Sequence, residues 1–374
     1  MRLQHIGIDE LLDAPRSSWP TVSLYLDVDG ERHPRQGDYL THLDALLRQA
    51  REQAEGFARD HRNGVEEACE AISSWVRTEL DRDTERGLAL FARGGDPLGL
   101  VALGVPLPNE VHVASRPRLA RLADTITDAR HLGMVVIQRD QARFIDYWMG
   151  YAWEAERITS DVPGWHSQGG WSQRRFQAHI AHKVLHHKKD AAEALRRLHG
   201  ERHLDALLIA GPHAEAKEFV DQLSHNLQQL VTGEPLRVDP DAHPSAYREH
   251  FAEVERRMVD EVRERNLQRL EEAWGTGTRE PVAAITTGEV LDAVNARRVD
   301  VLFTAEGVAS PGYRGGEALT LDEAGAREMG QPIEPVDDVI AEAAEDVVRS
   351  GADLELIDPD RVPGGPPMAA LLRY

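Results

Sequence analysis

Residues 21–28, TVSLYLDV, are rich in β-branched and aromatic side chains and too short for a helix, so the run predicts a strand. Residues 39–57 and 65–80 instead repeat their apolar positions at helical spacing. Short apolar runs at 87–92, 98–104 and 110–114, bounded by Gly, Pro and Asn, predict further strands. Together they make residues 1–130 an α+β domain.

From Leu132 the pattern GMVVIQRDQARFIDYWM predicts two strands joined by a polar turn at 139–141, a hairpin. A Gly/Pro/Trp-rich loop follows at 161–171, then a long helix near 174–199, a strand LDALLIAG, a helix at 214–231 and a strand PLRVD. This alternation predicts a mixed-sheet α/β domain with a protruding glycine-rich loop. Residues 244–274 hold helical period with acids and bases interleaved, which predicts a solvated connecting helix and closes the middle domain at about 131–275. In residues 276–374 a helix at 289–297, a strand at 299–305, an acidic helix at 336–349 and strands at 354–357 and 369–373 predict a C-terminal α/β sandwich domain. The expected fold class is thus α/β and α+β in three domains.

Size and composition agree with that division: 374 residues exceed what one core usually organises, and 41% hydrophobic with 29% charged residues suits a chain that buries real cores. Acids and prolines at the start, MRLQHIGIDELLDAP, do not form a secretory signal, and no eighteen apolar residues run together. The expectation is a cytoplasmic protein with no membrane partner. The single cysteine, Cys69, sits in an amphipathic helical pattern and reads as a small core residue.

A net charge of −21 argues against coating nucleic acid through bulk electrostatics, so any RNA contact has to be focused. One segment answers that description. Residues 162–189 contain no Asp or Glu although the chain has 64 acids; a window that long would be acid-free by chance roughly once in two hundred. The segment holds Arg174, Arg175, Lys183, Lys188 and Lys189 with five histidines, and it contains Gly169 and Gly170. Glycines without Cβ atoms let a backbone approach a ligand closely, and Gln173 adds an amide that can both donate to and accept from water.

The sequence Gly-Gly-Trp-Ser-Gln-Arg-Arg-Phe, 169–176, followed by a basic helix and placed after a hairpin in a middle domain, resembles the Gly-Gly-Gln loop and Arg-Phe helix of archaeal and eukaryotic class-1 release factors. The order of three α/β units, the long helix before the third and the closing MAALLRY are similar to that superfamily, which includes Pelota and bacterial members. Where release factors place glutamine directly after the glycines, this chain has Trp171, and Gln173 comes two residues later. That spacing resembles the Vms-type peptidyl-tRNA hydrolases, whereas the missing glutamine is similar to the hibernation factor Balon. The resemblance implies binding to ribosomal and transfer RNA, with a translational GTPase as a further partner. It assigns Gly169, Gly170 and Gln173 to catalysis, with Gln173 orienting water, and Arg174 and Arg175 to phosphate contacts. Two functions follow as alternatives: hydrolysis of peptidyl-tRNA in ribosome rescue, or non-catalytic occupation of the A site in hibernation. No element similar to the codon-reading Asn-Ile-Lys-Ser sequence occurs in the first domain.

Trp171, His179, His182, Lys183, His186, Lys188 and Lys189 complete the expected RNA-facing set. The step from His182 to His186 is that of many helical zinc sites, but no cysteine lies nearby and Asp190 is the one close acid, so no metal is expected. Trp165 and Trp171 can stack on bases or anchor the loop. The chain has no Walker-type loop, no Gly-x-Gly-x-x-Gly after a strand and no Gly-x-Ser-x-Gly elbow, so nucleotide cofactors and serine-hydrolase chemistry have no support.

Overall fold

The structure, a computed structural model, describes residues 10–11, 17–81, 84–94, 96–160, 173–275, 283–305, 308–357 and 365–373. The chain divides into two compact units, Met1–Asp128 with Val259–Tyr374, and Ala129–Met258.

In the first unit, β1 (Thr21–Asp27) is buried at every position, flanked by the helices α1 (Gln36–Gln53) and α2 (Arg59–Thr78). Its even-numbered residues Val22, Leu24 and Leu26 face Leu43, Leu47, Ala68 and Ile72 of the helices, the spacing that amphipathic strands and helices share across a core. With β2 (Gly87–Arg93), β3 (Asp96–Leu103) and β4 (Glu110–Ala114) it forms an antiparallel sheet in the order β3-β2-β1-β4. An unpaired sheet edge invites foreign strands. Here the Gln53 side chain covers β4 like a neighbouring strand, donating to Val111 O at 3.0 Å and accepting from Val113 N at 2.9 Å. Helix α3 (Ala120–Asp128) then ends this part of the unit.

The second unit is built on the strands β5 (Leu132–Ile137), β6 (Gln141–Trp148) and β7 (Tyr151–Thr159), an antiparallel meander. Helix α4 (Gln173–Arg202) carries the chain back to β8 (Ala206–Ala210), parallel to β5, in the order β7-β6-β5-β8. One face of this mixed sheet packs on α4, α5 (His213–Val220) and α6 (His225–Leu230), through Ala191, Ala194, Leu195, Phe219 and Leu227. The other face packs on Tyr247, Phe251 and Val254 at the start of α7 (Arg248–Gly275), with Phe251 stacked on Tyr147 at 4.8 Å. Arg143, 2% exposed, crosses the sheet to Glu154 Oε2 at 2.7 Å and donates to Ala242 O, pinning the segment that leads into α7.

From Val259 the chain is again part of the first unit. After β9 (Ala283–Ala284) come α8 (Thr287–Asn295), β10 (Val299–Ala305), a small antiparallel sheet of β11 (Gly312–Gly315), β12 (Ala318–Thr320) and, beyond the short helix α9 (Glu323–Met329), β13 (Ile333–Val336). Helix α10 (Val339–Arg349), β14 (Asp353–Ile357) and β15 (Met368–Leu372) complete a mixed sheet ordered β14-β10-β15-β9. Leu302, Leu354 and Ala370 meet α8 and α10 on one face, while Val301, Phe303 and Leu371 meet Leu267 and Leu270 of α7 on the other. The sheet therefore lies between α8 and α10 on one face and the end of α7 on the other.

Several elements were missing from the sequence expectation: β7, α3, α9 and the small sheet. The predicted helix at 214–231 is two helices, α5 and α6, and the segment PLRVD contributes a single bridge, Ala210 to Leu236. Gly211 explains that ending. Its φ of 137° and its N–H donation to Leu236 O turn the chain out of β8, and a Cβ there would lie 2.2 Å from Ile137 O.

Candidate nucleic-acid interface

Helix α4 begins at Gln173, so Gln173, Arg174 and Arg175 have their backbones in its first turn. Gly169, Gly170 and Trp171 lie outside the described residues, as does Trp165. The helix has 30 residues, and at 1.5 Å per residue that is about 45 Å.

Two stripes run along it. Ile180, His187, Lys188, Ala191, Ala194 and Leu195 are buried and recur at steps of three and four, so this side faces the unit's core. His179, His182, His186 and Lys189 follow the same rhythm on the other side and are exposed, with Lys183 half-buried between them. The His182 and His186 rings meet edge to face with centroids 4.4 Å apart, as i,i+4 neighbours do. The first acid on α4 is Asp190, so the exposed stripe from His179 to Lys189 carries none. In a chain of net charge −21 this is a local reversal of sign that suits a polyanion.

Lys188 lies on the inward stripe. It is 1% exposed and its Nζ sits 2.5 Å from Glu215 Oε2 and 2.6 Å from Glu218 Oε2, both on α5. Its sequence grouped it with the phosphate-facing residues; its position makes it an internal ion pair that holds α4 to α5. The signal for that was available, since Lys188 stands eight residues after Ile180 and three before Ala191 on the core repeat.

Sequence reasoning also passed over the contact at the root of the helix. Buried His187 places Nδ1 2.9 Å from Ser160 Oγ, at the residue following β7, and Ser160 N donates to Asp140 O in the β5–β6 turn. Burial lowers the pKa of His187, opposed by a contact to the Gln141 backbone and by Asp140 and Asp190. The β5–β6 turn, the end of β7 and α4 are therefore tied together at one level. Fourteen residues of α4, 173–186, lie on the N-terminal side of that tie, about 21 Å of helix.

Among the described residues no group of three His, Cys, Asp or Glu side chains is placed to hold a metal ion. Among the same residues no helix is long and apolar enough to cross a membrane.

Comparison with known proteins bears on this same region. Residues 117–256, which contain all but the last two residues of the second unit, match the family described as bacterial archaeo-eukaryotic release factor family 10. The chain is 26% identical over 310 residues to peptide chain release factor subunit 1 of Methanocaldococcus jannaschii, covering 76% of this chain and 70% of that protein. To subunit 1-1 of Methanosarcina acetivorans it is 26% identical over 245 residues, covering 60% of this chain but 56% of the relative. The crystal structure of Archaeoglobus fulgidus Pelota aligns with 74% of this chain and 76% of its own at 18% identity, with a TM-score of 0.36. The sequence matches make the chain similar to release factors, and residues 117–256, which carry α4, match the bacterial family of that class.

Proposed function

We propose that the chain acts on the ribosome, entering the A site with the exposed stripe of α4 against tRNA or rRNA phosphates and loop 169–173 near the peptidyl transferase centre. The observation that carries this reading is the acid-free face of His179, His182, His186 and Lys189 on a helix that begins at Gln173, in an otherwise acidic protein. Arg174, Arg175 and Lys183 belong to the same contact. Trp171 supplies a stacking surface, and Lys188 is set aside because its charge is consumed by Glu215 and Glu218.

Hydrolysing the ester between peptide and tRNA requires a positioned water and stabilisation of the carbonyl oxygen rather than a strong protein base. Gln173 can orient the water, and the backbone at Gly169 and Gly170 can approach the ester; a single oxyanion donor is worth about 3 kcal/mol. In this reading segments 1–130, 131–275 and 276–374 act as three domains in the cytoplasm, the last offering a docking surface to a translational GTPase. No cofactor is required.

One observation favours a second reading: Trp171 occupies the place of the release-factor glutamine. A non-catalytic factor that fills the A site of idle ribosomes would keep the basic helix without needing the amide. Ribosomes carrying labelled peptidyl-tRNA separate the two. Release that falls at least a hundredfold in Gln173→Ala supports hydrolysis; tight binding without release supports hibernation; absence of ribosome binding overturns both.

A further inference from the structure

Both places where the chain passes between its units lie beside one charged cluster of the first unit. Asp128 is the last residue before the second unit, and α7 re-enters the first at Val259. One helical turn later, Arg263 reaches back to α3, with Nη2 against Asp128 Oδ2 and 3.2 Å from Asp124 Oδ1. Asp124 Oδ1 also accepts from Leu356 N at 3.2 Å, so α3 is held to β14. Beneath them Glu355 on β14 accepts from Asn266 Nδ2 of α7 at 2.7 Å through Oε1.

Asp124, Asp128 and Glu355 gather around the Arg263 guanidinium, and both Asp124 and Glu355 are buried. Glu355 Oε2 and Arg263 Nε are closed to solvent and have no hydrogen-bond partner among the described residues. Of the other elements packed on β14, β10 offers uncharged Phe303 opposite Glu355, and α10 lies on the face that carries Leu354. Ionised Glu355 is opposed by Asp128 and Asp124, because neighbouring carboxylates repel each other through a low dielectric.

We propose that Asp124, Asp128, Arg263 and Glu355 form a proton-dependent latch that fixes the start of the first-unit portion of α7 against α3 and β14. The inference is independent of any ribosomal role. With Glu355 protonated, Arg263 is shared by two carboxylates and the latch is closed. When Glu355 ionises, a third carboxylate enters the cluster and weakens the hold on α7. Burial, reinforced by Asp128 and Asp124 and opposed by Asn266 and Arg263, pushes the Glu355 carboxyl up to about 7. A carboxyl raised in the folded state contributes its stability fully below the unfolded value and loses it as pH rises through the folded one. The latch therefore loosens across neutrality.

Hydrogen exchange of the full-length protein, with amide rates corrected for intrinsic pH dependence, tests this. Between pH 6 and pH 8 the amides of 259–267 should exchange at least fivefold faster, and Glu355→Gln, which stays uncharged, should remove that difference while keeping the slow rates. Asp124→Asn, which removes a negative charge that raises Glu355, should shift the transition downward in pH. Carboxyl NMR should place the Glu355 transition between pH 6 and 8. A Glu355 titration below pH 5, or an exchange difference that survives in Glu355→Gln, overturns the proposal.

Discussion

His187 Nδ1 lies 2.9 Å from Ser160 Oγ, and this contact joins the end of β7 to the inner face of α4. Ser160→Ala should cost about 1 kcal/mol, the usual net value of such a bond, and His187→Ala more because it also empties a buried site. Burial holds the His187 pKa below its ordinary value, so the folded state favours the neutral ring. The stability it contributes is complete above about pH 6.5 and declines as pH falls below that value. Thermal melts between pH 7.5 and 5.5 check this; a native protein and a His187→Gln variant with identical pH dependence would refute it.

Lys188 and Lys189 are adjacent in sequence and opposite in role. Lys188→Met retains the aliphatic stem but strips Glu215 and Glu218 of their partner. Glu218 is 67% exposed and can turn to water, so the cost should be about 1–2 kcal/mol, below that of breaking a wholly buried pair. Ribosome affinity should be unchanged. Lys189→Ala should leave stability intact and weaken binding, reducing the slope of log affinity against log salt by about 0.7–0.9 if one phosphate contact is lost. Sedimentation with ribosomes at several potassium concentrations measures both; equal effects of the two substitutions would contradict the facing assigned to α4.

Glu154 sits between Arg157, 2.6 Å away, and Arg143. The hydrogen bond from Arg157, aided by Arg143 and opposed by burial, holds its carboxyl at about 2. A depressed carboxylate contributes stability that is present above about pH 4.3 and lost as pH falls towards its folded value. Glu154→Gln should lower the unfolding free energy at pH 7 by about 2 kcal/mol, since it leaves the buried Arg143 short of a charged acceptor. Urea unfolding at pH 7 and pH 3 should show the difference shrinking in acid.

Gly211→Ala and Gly233→Ala form a matched pair. Both glycines have positive φ, 137° and 71°, but Gly233 has open space around it whereas a Cβ on Gly211 meets Ile137 O at 2.2 Å. Gly233→Ala should cost about 1–2 kcal/mol from backbone conformation alone. Gly211→Ala should exceed it by at least about 2 kcal/mol, because β5 must shift to admit the methyl. Chemical denaturation of both variants decides the point, and equal costs would count against the close approach.

Much of the architecture was legible because it rests on local periodicity. Strand β10 occupies the residues its apolar run marked, and β4 likewise, since a two-residue repeat of branched side chains has few other uses. The strand β7, YAWEAERIT, escaped because its residues are only half-buried and mix charges with aromatics. The small sheet escaped because its strands are three or four residues long, too short for a period to show, and are closed by packing rather than propensity. The acid-free window runs into the first half of α4, and packing gave that helix its inner and outer faces.

What the sequence determined alone is therefore the order of the strongly periodic strands and helices, the sign reversal in 162–189, and the Gly-Gly-Trp-Ser-Gln departure before α4. These are properties of neighbours along a chain, and period and charge express them directly. Tertiary structure decided which basic residues are available: it turned Lys188 inward to Glu215 and Glu218 and tied His187 to Ser160, 27 residues away. It also set Asp124, Arg263 and Glu355 side by side from three distant segments. Such pairings depend on how faces pack, and no local pattern records the identity of a residue's partner across a core.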